Sequence, residues 1–173
     1  MNAVPENHPV SRMFRVLTER AMHQAQLEDN QVVMYVSRLL LHFLYTENLY
    51  PFADSSRAKT CYVTDLIQMA EQSDLRKKQK IYQHVGDYAL FMLGVYPESL
   101  ERPRRCIDPT FYASQGRRSY IAASELLLNA EATQLCRKMA HQFERCVLGL
   151  NWFKEYTSDP FYQSMFREFG VGS

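Results

Sequence analysis

From Leu75 to Pro97 the chain reads LRKKQKIYQHVGDYALFMLGVYP, and the second half of that segment is apolar almost all round. Between His84 and Glu98 it holds one charged residue, Asp87. A helix with no polar side has to be surrounded, so other elements must close around it. Composition says what those elements are. Leu, Ala and Met number 39 against 15 Val plus Ile, a balance that favours helix over strand. Six glycines and seven prolines in 173 residues are too few for a sandwich or barrel full of tight turns. Hydrophobic residues at 46% and charged residues at 23% are globular values that exclude disordered and fibrous classes. The length fits one domain over residues 1–173, with the first ten flexible, and a core that needs neither disulfides nor a structural metal.

Apolar spacing of three and four predicts the remaining helices. Met13, Phe14, Leu17 and Ala21 mark one from Ser11 to about Leu27, and Asp29 or Asn30 caps a second from Gln31 to about Glu47. A short helix spans Tyr62 to Glu71, and the segment above forms the next. Asp108-Pro109 places an acid at the cap and proline at the first helical position, opening a helix to about Leu128. Glu131 to Tyr156 reads as one long helix, and Asp159-Pro160 starts a last short one. The expectation is an all-α antiparallel bundle of six or seven helices. Gly86 and Gly94 each cost up to about 1 kcal/mol inside a helix, which close approach of a neighbouring helix would explain.

The N-terminus, MNAVPENHPV, has neither a basic start nor an apolar run, so no secretory signal is expected. The longest uncharged apolar stretch, Tyr88 to Pro97, is far short of the ~20 residues that span a membrane. Cys61, Cys106, Cys136 and Cys146 show no C-x-x-C and no zinc-ligand spacing, so they read as reduced thiols of a cytoplasmic protein. Net charge is +1 but unevenly placed: residues 76–118 carry nine Lys and Arg against four acids.

Four features could carry chemistry. Asp87 must find a partner in a buried helix; Arg117, Arg118, or the hydroxyls of Ser119 and Tyr120 are within reach of a neighbouring helix. Such a pair pins two helices together, or serves a binding site. His84 with Asp87, and His141 with Glu144, are two pairs at i, i+3 that would form a metal site if they faced each other. Ferritin-like di-iron sites use Glu-x-x-His, and this chain has none. Arg102, Arg104, Arg105, Arg117 and Arg118 surround the start of the Asp108 helix and suit a carboxylate or phosphate partner. Cys106, after two arginines, is the thiol with the best setting for reactivity.

Nucleophile elbows, P-loops and RNA-binding motifs are missing, and a pI near 7.7 is modest for a nucleic-acid binder. Aromatic residues gather at Tyr45, Tyr50 and Phe52, a candidate pocket lining. Trp152, Phe153, Tyr156, Phe161, Tyr162 and Phe166 form a candidate homodimer surface. The consequent reading is a non-catalytic binding protein that engages a protein or an anionic ligand through the basic 102–118 region and needs no cofactor. The alternative is an enzyme or metal carrier built on His84, Asp87, His141 and Glu144.

Two stretches, VGDYALFMLGVYPESL from Val85 and FYASQGRRSYIAASEL from Phe111, resemble a family of uncharacterised, all-helical bacterial proteins. The resemblance covers roughly residues 35 to 150. It implies a helical fold and a bacterial source, and no reaction.

Overall fold

The computed structural model describes residues 5, 7–52, 62–100 and 108–168. The fold is all-α. Among the described residues there are nine α-helices, one 3-10 turn and no strand. They run α1 Pro9–Gln24, α2 Asn30–Phe43, the 3-10 turn Thr46–Leu49, α3 Tyr62–Glu71, α4 Leu75–Val95, α5 Pro97–Leu100, α6 Pro109–Leu126, α7 Ala130–His141, α8 Phe143–Thr157 and α9 Pro160–Glu168. None of them is long and apolar enough to cross a membrane. The chain divides into two compact units, residues 1–51 with 145–173, and residues 52–144.

Helix starts follow local chemistry. The Asp29 carboxylate accepts from the backbone N–H of Gln31 at 3.0 Å, and Asp74 accepts from that of Lys77 at 3.0 Å. Each relieves a donor that the first turn leaves unpaired. α1 begins earlier than apolar spacing suggests, because Pro9 at its first turn and the His8 ring, accepting from the Val10 N–H, extend it backwards. It ends at Gln26, whose φ of 58° lets the Leu27 N–H reach the Met22 carbonyl.

In the first unit α1 packs on α2, with Val10, Phe14, Leu17, Met22, Val36 and Leu40 buried. The Phe14 and Phe153 rings meet at 5.3 Å, so Phe153 belongs to the core and not to the expected aromatic surface. Arg20 lies over the Tyr156 ring at 4.8 Å.

The second unit is built around α4, which packs on α3, α5 and α6. Pairings run in opposite senses along α4 and α6: Gly86 and Asp87 meet Tyr120, while Ala89 meets Gly116. The two helices are therefore antiparallel. The backbones lie close enough that a Cβ at Gly86 would sit 2.8 Å from the Tyr120 ring, and one at Gly116 would sit 2.5 Å from Phe143. α3 also runs antiparallel to α4, since Glu71 meets Lys78 and Tyr82 whereas Tyr62 meets His84. Burial, with the Glu71 carboxylate beside it, pushes the Tyr82 hydroxyl up to about 12.

The helix count exceeds the expected six or seven for two reasons. A single turn, α5, forms from Pro97, where apolar spacing predicts no helix. The stretch Glu131–Tyr156 is two helices, because the chain breaks at Gln142 (φ −101°, ψ 17°) and drives Phe143 into the core against Gly116 and Tyr120.

Candidate functional site

α6 is started by Asp108, whose carboxylate accepts from the Thr110 hydroxyl and from the Thr110 N–H at 2.9 Å. Those two bonds hold its carboxyl below the usual range. From there Tyr112, Gly116, Ser119, Tyr120, Ala123 and Ser124 turn inward at helical spacing. The opposite face then carries Arg117, Arg118, Ile121, Ala122 and Glu125. Residues 127–129 reverse the chain, and the Asn129 side chain caps α7 by accepting from the Ala132 N–H at 3.0 Å. Thr133 meets the link at Leu127 while Arg117, further back on α6, meets Glu144 just beyond α7, so the two helices form a hairpin.

The hairpin sets Arg137, Ala140 and His141 of α7 beside the outward face of α6, and an open cleft of about 700 Å³ lies between them. Ile121, Ala122 and Ala140 supply its apolar lining, and Arg117, Arg118, Arg137, His141 and Glu125 its polar one. Arg117 Nη1 is held by Glu144 Oε1 at 2.6 Å, a half-exposed pair worth about 0–1 kcal/mol, so it orients the guanidinium more than it stabilises the fold. Arg118 and Arg137 are exposed and form no ion pair among the described residues.

Asp87 finds Tyr120 among the four partners in reach: the phenol donates to Oδ1 at 2.7 Å. It points at the α4–α6 seam, away from the arginine face. The nearby Cys136 thiol is pushed up to about 11, by burial first and the Asp87 carboxylate second. It is therefore a protonated, inert thiol at neutral pH.

His84 goes elsewhere. It is buried beside α3, sharing a 3.2 Å hydrogen bond with the Tyr62 hydroxyl and lying within ring-contact range of Phe52 and Tyr88. The proposed quartet of His84, Asp87, His141 and Glu144 is thus distributed over an aromatic cluster, a tyrosine, the cleft and Arg117. Among the described residues no three His, Cys, Asp or Glu side chains gather as a metal site. The i, i+3 geometry was sound, but the two members of the α4 pair are taken by different neighbouring helices.

Arg102, Arg104, Arg105 and Cys106 lie outside the described residues. Arg137, Ile121, Ala122, Glu125 and Ala140 are cleft residues that sequence reasoning missed. A signal existed: Arg117/Ile121/Glu125 and Arg137/His141 step by four on two helices joined by a three-residue link.

No family model, curated protein or solved structure matches the chain.

Proposed function

We propose that this is a cytoplasmic, non-catalytic binding protein that recognises an anionic group, on a partner protein or a ligand, in the α6–α7 cleft. The observation that carries the reading is the convergence of Arg117, Arg118 and Arg137 on one open cleft whose lining, among the described residues, includes one carboxylate, Glu125, with Glu144 holding Arg117. Guanidinium groups are planar forks that grip carboxylate and phosphate with two parallel hydrogen bonds. Glu144 orients Arg117 while Arg118 and Arg137 stay available among the described residues. The free, buried thiol of Cys136 fits a reducing compartment.

Pyrophosphate is the probe. Calorimetric titration at low ionic strength is expected to show binding that weakens as salt is raised toward 0.15 M, where the screening length falls to about 8 Å. The double variant Arg118→Glu, Arg137→Glu is expected to abolish it. Binding that persists in that variant, or none in the wild type at low salt, overturns the reading.

A second reading concerns self-association. Leu148, Trp152 and Tyr156 step by four along α8; Leu148 and Trp152 are exposed, and Trp152 stacks on Tyr156 at 6.3 Å. Phe161 of α9 is a further exposed apolar side chain of the same unit, and such residues suit a homodimer surface. The Phe166 side chain lies outside the described set.

A further inference from the structure

The α6–α7 cleft has more apolar floor than a small anion uses. Ala122 and Ala140 are short side chains on facing helices, and their size opens the groove. Ile121 stays 42% exposed along it. Leu128, in the link that follows α6, is fully exposed at the hairpin's tip. An isolated phosphate or carboxylate would neutralise the rim and leave this apolar line in water.

From Arg117 to Leu126 the α6 face is about 14 Å long at 1.5 Å per residue, about two and a half turns of helix. Two antiparallel helices whose side chains step by four present ridges with a groove between them, and a third helix lays its own ridge into such a groove. Small residues at the floor let it approach to ordinary interhelical distance. The rim chooses its charge: Arg118 and Arg137 flank the floor on opposite sides, Arg118 from α6 and Arg137 from α7.

We infer that the α6–α7 groove is a docking site for a short acidic amphipathic helix of another protein, its apolar ridge on Ile121, Ala122 and Ala140 and its carboxylates on Arg118 and Arg137. This rests on the anion-binding reading above and adds the occupant. Arg117, tied to Glu144, acts as a fixed boundary at one end of the groove. Charge complementarity sets orientation and encounter rate, and the covered apolar line sets residence time.

The test is a displayed library of helical segments of about three to four turns, panned on the intact protein and counter-panned on Ala122→Phe, which fills the groove without changing charge. Surviving segments are expected to carry an apolar stripe at i, i+4 spacing flanked by Asp or Glu. Fluorescence anisotropy of a surviving peptide should show dissociation constants about tenfold or more weaker for Arg118→Glu, Arg137→Glu. Ile121→Glu, at an exposed position, should weaken it similarly and guards against misfolding of Ala122→Phe. Survivors without acidic enrichment, survivors indifferent to both groove variants, or no survivors at all overturn the proposal. Pyrophosphate titrated in parallel separates the two readings. If it binds and depends on the arginines while no groove-dependent peptide emerges, anion recognition stands and helix docking falls; if neither binds, both fall.

Discussion

Cys136 shows how a single residue takes its chemistry from its surroundings. Its ordinary thiol pKa of 9.0 rises to about 11, because burial disfavours the thiolate and the Asp87 carboxylate repels it. Unfolding returns the thiol to its ordinary value, so the folded state holds its proton more tightly. The stabilisation is complete below about pH 9 and is lost as pH rises toward 11. Urea unfolding from pH 8 to 11 should therefore show wild type declining more steeply than Cys136→Ala, the gap between them narrowing with pH. A gap that stays constant would mean that the thiol titrates alike in both states. His84 makes the opposite point: its hydrogen bond to Tyr62 and its aromatic neighbours give it structural work in the core.

Among elements, the α4–α6 seam carries the second unit. Gly86 admits the Tyr120 ring, and the ring's hydroxyl satisfies Asp87 in turn. Alanine at Gly86 would gain up to about 1 kcal/mol of helix propensity. Its Cβ, however, would sit 2.8 Å from the ring, which must shift and draw its hydroxyl from Asp87. Overpacking of this kind costs typically about 1–3 kcal/mol, so Gly86→Ala should be destabilised on balance. Chemical denaturation checks it, and the effects of Gly86→Ala and Tyr120→Leu should sum to more than the double variant loses. The need of Asp87 for a partner was legible in the sequence. Which partner was not: residues 117 to 120 sweep most of a helical turn, and only packing against α4 selects Tyr120 over the two arginines.

Across the whole molecule, the arginine cleft and the exposed aromatic residues of α8 and α9 belong to different units. Two of the nine basic residues of 76–118, Arg117 and Arg118, join Arg137 in the cleft, in the unit of residues 52–144. The exposed Leu148, Trp152 and Phe161 belong to the other unit. If that patch joins two copies, sedimentation should give a concentration-dependent dimer that Trp152→Glu converts to monomer while pyrophosphate binding is kept. A monomer at every concentration would dismiss it. Phe153, grouped with these aromatics by sequence proximity, is instead locked against Phe14; neighbours along a helix point in different directions, and adjacency says nothing of exposure.

Local chemistry in the amino-acid sequence determined the helical class, the cap positions at Asp29, Asp74 and Asp108, and the burial of the second half of α4. Each follows from interactions within a few residues: a side chain reaching an unpaired N–H, a proline with its φ already helical, an apolar face that must leave water. The cleft is different. Arg137 and His141 have the same helical propensity and solvation whether or not Arg118 lies opposite them. The break at Gln142 and the fate of the His84 and His141 pairs likewise depended on contacts between residues far apart in the chain. Such contacts form only when the helices have packed, and tertiary structure alone decided them.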